Sequence, residues 1–219
     1  MKFKPLVVMS FALSAFSILV APLARAAIDE DVHMLQSQWD QIKYRKPKTE
    51  QERDFEALAQ TARSVRAKYP DRAEAEIWYG IIMSTYAGAK GGLGALSLVK
   101  DAKQAFEHAL AIDPKALDGS AYASLGSLYY QVPGWPVGFG DDKKAREMLE
   151  AALKLNPDGI DPNYFYGDFL YRKGEYADAK KALEHAMKAP ARPDRPVADE
   201  GRRKEIEELL AKIGDKSSG

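Results

Sequence analysis

The sequence predicts an all-α fold, a solenoid of about four helix pairs that ends in a capping helix. Three observations lead to this prediction. Apolar residues recur at spacings of three and four along the chain, which is the periodicity of helices with one buried face. No stretch shows the alternation of a half-buried strand. One helix pattern also recurs three times, at residues 102–114, 145–157 and 179–190.

The first 26 residues have the pattern of a cleavable export signal. Lys2 and Lys4 give a positive start, residues 6–20 are largely apolar, and Ala24-Arg25-Ala26 provides small residues at a cleavage position. The apolar run is short for a membrane span of about 20 residues and is interrupted by serines. We therefore expect cleavage after Ala26 and a periplasmic location, rather than an uncleaved membrane anchor.

Composition narrows the class of protein. Removing residues 1–26 from the 219 leaves 193, enough for one domain with a substantial core. The segment carries three of the 32 basic residues and none of the 32 acidic ones, so the mature net charge is −3. That balance provides no electrostatic footprint for nucleic acid or for anionic lipid. The sequence has no cysteine, so we expect a soluble protein without disulfides or an N-terminal lipid anchor.

Helix-turn-helix repeats form the middle of the chain. Each copy of the recurring helix has one alanine before and one alanine after a large residue, and it ends at a proline. A helix with a glycine precedes each copy, and these glycines are Gly80, Gly126 and Gly167. Glycine and alanine let helix backbones approach closely, and proline ends the second helix because it cannot continue the hydrogen-bond ladder. The pattern resembles the tetratricopeptide repeat, which has a period of 34 residues and builds an α-solenoid.

A single repeat domain is predicted from residue 27 to residue 213. Residues 27–70 have helical periodicity but lack the glycine and the first alanine, so we interpret them as a degenerate first repeat. Three repeats with the full pattern follow, at residues 75–114, 119–157 and 161–190.

The end of the chain predicts a capping helix over residues 199–213. Its apolar residues form one stripe on an otherwise charged helix, which suits the last element of a solenoid. The stripe consists of Ile206, Leu209, Leu210 and Ile213. Gly214 is a stop signal, and residues 214–219 are predicted to be a tail.

Two repeats are longer than the period allows, and both insertions fall between the two helices of a repeat. One lies near residues 88–94 and is rich in glycine. The other, at residues 132–140, carries Trp135 and Phe139 among prolines and glycines. Insertions at the same position in neighbouring repeats are expected to project on the same edge. Their apolar side chains either fold back on the helices, pack against another protein, or line a ligand cleft.

The second insertion and the segment after it resemble a known family. Residues 128–146 read LYYQVPGWPVGFGDDKKAR, and residues 156–167 read NPDGIDPNYFYG. Both are similar to the T-component family of TRAP transporters, the tripartite ATP-independent periplasmic transporters. The resemblance covers roughly residues 75–190 and implies a periplasmic helical-repeat protein that associates with the solute-binding component. Some members of that family are lipid-anchored trimers. The absence of cysteine excludes the anchor here and leaves the oligomeric state open.

The motifs that catalysis or cofactor binding would require do not occur in the sequence. Cysteine is absent, and His108 and His185 occupy the same repeat position, which is typical of solvent-facing sites on successive helices. The glycine run at residues 88–94 lacks the order of a phosphate-binding loop and follows a predicted helix instead of a strand. We therefore predict no catalytic residues, no metal site and no cofactor.

The first helix of each repeat is predicted to line the concave face of the solenoid. One stripe on these helices mixes tyrosine with small and apolar residues, and tyrosine combines apolar area with a hydrogen-bonding hydroxyl. The candidate groove residues are Ile77, Ile81, Tyr130, Tyr164, Asp168 and Tyr171, and the candidates on the insertion are Trp135 and Phe139.

These candidates predict a scaffold that binds a protein partner. The groove stripe has few charges, unlike the lysine- and arginine-lined clamps that hold peptide carboxylates. Two alternatives stay open. One is a binder of a small apolar ligand that uses the groove and the Trp135 insertion, and the other is an envelope-assembly scaffold.

Overall fold

The computed structural model describes residues 17–217, with side chains from Arg25 to Lys216. Within that range the regular structure is helical, apart from one isolated bridge between Gly134 and Gly140. The predicted all-α solenoid is confirmed. The helices are α1 (Ser17–Arg45), α2 (Lys48–Lys68), α3 (Ala73–Lys90), α4 (Ala95–Ile112), α5 (Ser120–Gln131), α6 (Asp142–Leu155), α7 (Ile160–Arg172), α8 (Tyr176–Ala186) and α9 (Pro196–Ser217), with a short 3₁₀ turn at Ala116–Gly119.

The predicted export signal, residues 1–26, lies largely outside the described residues, and it stays a prediction. The first described helix, α1, begins at Ser17. Across residues 17–217, none of the helices combines the length and the apolar character needed to cross a bilayer.

The helix pairs of the three full repeats pack through a glycine that faces a large side chain of the second helix. A Cβ at Gly80 of α3 would lie 2.6 Å from the Phe106 ring of α4. The equivalent distances are 2.8 Å from Gly126 to Leu149 and 2.7 Å from Gly167 to Leu183. Real Cβ atoms do not come so close to a neighbouring side chain, so these large residues pack fully only against glycine. The recurring sequence pattern is therefore one packing motif used three times.

The helices form two concentric layers. The first helices of the repeats, α1, α3, α5 and α7, make an inner layer in which each contacts the next, and α2, α4, α6 and α8 lie outside it. The last helix, α9, contacts α7 and α8 and also returns to contact α1. It therefore does more than cap the last repeat, because it closes the inner layer into a ring of five helices.

The contact of α1 with α9 and with the residue before α9, called the seam below, includes three ion pairs. They are Asp40–Arg195, Lys43–Glu205 (3.3 Å) and Arg45–Glu200 (2.5 Å). The Tyr44 hydroxyl also donates to Glu205 at 3.3 Å. Gly201 lies so close to the Tyr44 ring that a Cβ there would be 2.2 Å from it. The two ends of the solenoid are thus joined by complementary charges and one close aromatic contact.

The glycine-rich insertion near residues 88–94 forms the end of α3 and a short turn. α3 continues to Lys90 and α4 begins at Ala95, so only residues 91–94 form a turn. Gly91 and Gly92 have φ values of 66° and 60°, which are not helical and therefore end α3. Glycine suits these positions because other residues rarely adopt such values. The additional residues of this repeat therefore lengthen its two helices more than its loop.

The second insertion is a true loop, and its backbone is held in place. The Gly140 amide donates to the Pro133 carbonyl at 3.0 Å, and the Asp141 amide donates to the Tyr129 carbonyl at 2.9 Å. A Cβ at Gly140 would lie 2.0 Å from the Val132 carbonyl oxygen, so the two sides of the loop touch through backbone. The Asp141 side chain then accepts from two amides at the start of α6 and caps it.

Candidate functional site

The ring of inner helices encloses a central channel of about 1320 Å³. Side chains from α1, α3, α5, α7 and α9 line it, together with residues of the turns at both ends. Pockets for small ligands commonly measure about 300–1,000 Å³. The channel is therefore large enough for a small ligand and also for a segment of another chain.

One side of the channel, called the neutral wall below, carries no charge. It is formed by α3, α5, the turns that follow them and the first turns of α4. Residues 119–140 contain no Asp, Glu, Lys or Arg, and residues 77–100 contain only Lys90 and Lys100, neither of which lines the channel. The lining residues of this wall include Ile81, Ser84, Thr85, Leu96, Ala123, Ser124, Ser127, Leu128 and Gln131.

The opposite side, called the charged wall below, comes from α1, α7, α9 and the segment before α9. Its lining residues include Lys43, Asp161, Asp168, Arg172, Arg192, Arg195, Arg202, Glu205, Glu208 and Lys212. All four lining arginines are already engaged with carboxylates of the same chain. These pairs are Arg172–Asp168 (3.1 Å), Arg192–Asp161 (2.7 Å), Arg195–Asp40 and Arg202–Asp161 (2.8 Å). None of the four is left over to hold a ligand carboxylate.

Asp161, at the start of α7, is the centre of this charge network. Arg192 and Arg202 donate to its two oxygens. Burial tends to raise the pKa of this carboxyl, but the positive charges of Arg202, Arg192 and Arg195 outweigh it and hold the pKa well below its usual value. The carboxylate therefore stays ionised and ties α7 to α9.

Tyrosines on α5 and α7 are fixed by the same network. Burial raises the pKa of Tyr164 to about 12, although the Arg202 guanidinium, 4.2 Å from the ring centroid, acts to lower it. The Tyr130 hydroxyl donates to Asp168 at 2.8 Å and links α5 to α7. Burial raises the pKa of Tyr130 well above its usual value, and the Asp168 charge adds to the effect. Both phenols thus act as neutral hydrogen-bonding groups.

The structure brings some of the predicted groove residues together and separates others. Ile81, Tyr164 and Asp168 line the channel. Tyr130 touches that set through Asp168 but does not line the channel itself. Tyr171 packs against Tyr176 of α8, with ring centroids 5.6 Å apart, and is not a lining residue.

Ile77 is a correction to the predicted groove. Its side chain is fully buried in a small core cluster with Ala109, Ala116 and Ala121. α3 contacts α1, α2, α4 and α5, so the face that includes Ile77 is covered by neighbouring elements instead of facing the channel. A partner in the channel could not reach it.

The two predicted insertion residues have different surroundings. Phe139 is half-buried and packs edge-on against Tyr129, with ring centroids 5.9 Å apart, so it folds back on the helices. Trp135 is 89% exposed. Leu93 on the neighbouring turn is 87% exposed, and Val137 is 57% exposed. Leu93 and Val137 line one end of the channel, here called the apolar mouth.

The residues that sequence reasoning missed are those that α1 and α9 add to the channel. Arg195 lies 5.0 Å from the Trp78 ring centroid, and the Trp39 indole donates to the Thr85 hydroxyl at 3.0 Å. A signal existed in α9, where Asp199 and Arg202 precede the predicted apolar stripe and are both buried. Buried charges on a capping helix indicate partners elsewhere in the chain, but they do not identify them.

The two histidines in equivalent repeat positions each face one carboxylate. His108 Nδ1 lies 3.0 Å from Glu76, and His185 Nε2 lies 2.8 Å from Asp158. Both histidine side chains are about half exposed. In the part of the chain that the structure describes, no three or more His, Asp or Glu side chains are grouped so that they could hold a metal ion.

Comparison with known proteins supports the repeat assignment. A family model for the tetratricopeptide repeat matches residues 138–213, from the second insertion through most of α9. No curated protein matches the chain by sequence. The fold is a tetratricopeptide-repeat solenoid.

Solved structures with a similar fold share little sequence with this chain. A crystal structure of MamA is 20% identical, with 75% of this chain and 90% of that chain covered and a TM-score of 0.44. A second MamA structure is 18% identical, with coverages of 87% and 93% and a TM-score of 0.43. The pilF protein of Pseudomonas aeruginosa is 15% identical, with coverages of 88% and 91% and a TM-score of 0.36.

Proposed function

We propose that this chain is an exported, non-catalytic tetratricopeptide-repeat scaffold that binds a segment of a protein partner in its central channel. The observation that carries the proposal is the closed ring of inner helices around about 1320 Å³ of space with one neutral wall. Small and apolar side chains at Ile81, Ser124 and Ser127 offer a contact surface without a charge to desolvate. The exposed side chains at the apolar mouth extend that surface outward.

The partner that we propose is the solute-binding component of a TRAP transporter, met in the periplasm after removal of residues 1–26. Support comes from the likeness of residues 128–146 and 156–167 to the T-component family. Sequencing of the mature N-terminus tests the export step, and we expect it to begin at Ala27. A mature chain that keeps residues 1–26 would contradict this step alone.

Photocrosslinking from inside the channel tests the scaffold function. We would replace Ser127 on the neutral wall with a benzoylphenylalanine, and Ser64 on the outer helix α2 in a matched control, in the cells that produce the protein. The expected result is a crosslinked protein from position 127 that position 64 does not give. A solute-binding component would support the transporter proposal, and another envelope protein would favour envelope assembly. No protein adduct from position 127 would refute the scaffold.

A small apolar ligand is the second candidate, because helices enclose the channel and Ile81, Leu96 and Leu128 provide apolar surface inside it. Native mass spectrometry of the purified protein separates the two candidates. A bound mass of a few hundred daltons that is lost on denaturation would favour the ligand-binding function. A spectrum of the bare chain, together with a crosslinked protein, would favour the scaffold.

A further inference from the structure

One wall of the channel is uncharged and the opposite wall is charged, and this difference indicates which kind of partner segment can bind there. We infer that the occupant is an amphipathic α-helix of two to three turns from a protein partner. Its apolar face would lie on the neutral wall, and its polar face would turn toward the charged wall. This inference rests on the proposed scaffold function and specifies the partner segment.

The chain itself shows how an amphipathic helix packs in this ring. α9 carries buried apolar residues at Ala198, Ile206, Leu209 and Ile213. Its buried Arg202 pairs with Asp161 of α7, and its Glu205 pairs with Lys43 of α1. A partner helix in the channel would use the same combination of one apolar face and one charged face, on the side that α9 leaves open.

The neutral wall suits close helix packing. Its channel-facing positions on α3 and α5 include small residues, namely Ser84, Ala123, Ser124 and Ser127. Packed helices commonly lie with their axes 8–10 Å apart, and small residues at the contact permit the shorter distances. Apolar side chains of an incoming helix can therefore lie between these positions, against Ile81, Leu96 and Leu128.

The size of the channel sets the length of the segment. A helix with side chains has a diameter of about 10–12 Å and rises about 1.5 Å per residue. A channel of about 1320 Å³ then holds roughly 8–11 helical residues, which is two to three turns. A longer partner segment would extend out of the channel through the apolar mouth, past Leu93 and Val137.

The paired arginines of the charged wall argue against a guanidinium clamp for a chain end. All four arginines of the charged wall are paired within the chain, as described above, so a terminal carboxylate finds no free guanidinium. Glu208 and Lys212, one helical turn apart on α9, line the channel and have no ion-pair partner among the described residues. Asp118, Asp194 and Lys48 also line the channel without an ion-pair partner among the described residues. Together these side chains provide charges of both signs, which fits the mixed polar face of an internal helical segment.

Three synthetic peptides of three helical turns test the inference. The first has leucine and alanine on one face, glutamine, lysine and glutamate on the other, and blocked ends. The second has the same composition in scrambled order, and the third repeats the first with a free terminal carboxylate. Binding to the full mature chain is measured by fluorescence anisotropy. We expect the scrambled peptide to bind at least about tenfold more weakly than the first peptide. The free carboxylate of the third peptide should not increase its affinity.

Two matched serine variants connect the binding to the neutral wall. Ser127→Arg places a charge on that wall, and we expect it to weaken the first peptide at least about tenfold. Ser64→Arg adds the same charge on the outer face of α2, where it should change nothing. Circular dichroism verifies that both variants are folded.

Several outcomes would overturn the amphipathic-helix inference. They are equal binding of the scrambled peptide, unchanged binding to Ser127→Arg, tighter binding of the free carboxylate, or tight binding of myristic acid with no peptide binding. If position 127 still crosslinks a protein while the peptides fail, the scaffold function stands and only the helical partner is refuted. If crosslinking also fails, the scaffold function is refuted with it.

Discussion

Arg195, the residue before α9, forms two hydrogen bonds to the carboxylate of Asp40 on α1, across 155 residues of sequence. Both side chains are largely buried, and the guanidinium also lies 5.0 Å from the centroid of the Trp78 ring. One side chain thus joins the last helix to the first and covers an aromatic residue that lines the channel.

We predict that Arg195→Ala lowers the free energy of unfolding by about 3–5 kcal/mol, because it leaves the Asp40 charge buried without its partner. Arg45→Ala removes an exposed pair of the same seam and should leave the free energy of unfolding almost unchanged. Urea unfolding followed by circular dichroism measures both. Equal losses would mean that the Arg195–Asp40 pair contributes no more than a surface pair.

The depressed pKa of Asp161 predicts a stability that depends on pH. A carboxyl whose pKa is lower in the folded state stabilises the fold above the unfolded value of about 3.9, and this stabilisation is lost as the pH falls through the folded value. Asp161→Asn should therefore be less stable than wild type at about pH 7, and the difference should shrink at about pH 3. Urea titrations at both pH values test this. A gap that does not narrow would show that ionisation of Asp161 contributes nothing.

The glycines of the repeat motif predict opposite effects for the same substitution. Gly167→Ala should destabilise the protein by about 1–3 kcal/mol, because its Cβ would meet Leu183 at 2.7 Å. Gly88→Ala, also within a helix but with nothing near the added Cβ, should stabilise it by about 0.5–1 kcal/mol through helix propensity. Thermal unfolding of both variants decides. If both substitutions stabilise, the close approach at Gly167 does not constrain packing.

The loop of the second insertion predicts separate roles for its two aromatic residues. Phe139→Ala should cost about 1–2 kcal/mol, less than the 3–5 expected for a fully buried phenylalanine, because the ring is half-buried against Tyr129. Trp135→Ala should change the free energy of unfolding by less than about 0.5 kcal/mol, since the indole is exposed.

For capture of the partner, we expect Trp135 to matter more than Phe139, the reverse of their effects on stability. With Ser127 as the crosslinking position, Trp135→Ala should reduce the yield of the crosslinked protein more than Phe139→Ala does, because exposed aromatic residues often carry binding energy. Undiminished capture by Trp135→Ala would remove the exposed tip of the second insertion from the proposed interface.

The parts of the fold that the sequence could predict are those that depend on local repetition. Gly126 with Leu149 and Gly167 with Leu183 occupy matching positions in the aligned repeats, so their packing could be inferred from alignment of the chain with itself. The closing of the ring could not be inferred in this way. Asp40 and Arg195 occur once each, and no periodicity connects two charges 155 residues apart.

The candidate site was predictable only at positions that neighbouring helices leave uncovered. Ile81, Tyr164 and Asp168 line the channel, whereas Ile77 lies one turn before Ile81 and is covered. The difference arises because Ile77 packs in a core cluster with Ala109 of α4 and Ala121 of α5, on a face of α3 that these helices cover. A stripe drawn on one helix does not reveal how much of it neighbouring helices hide.

The seam has a consequence for how this protein can change in evolution. Open solenoids gain or lose repeats easily, because each unit contacts only its neighbours. Here, one more helix pair would carry Arg195 and Glu205 past α1, and one fewer would leave them short of it. Asp40 would then lose the arginine that compensates its charge. The number of repeats is thus constrained by the ion pairs of the seam. Duplication of a repeat would require a changed C-terminal helix that could pair with α1 again.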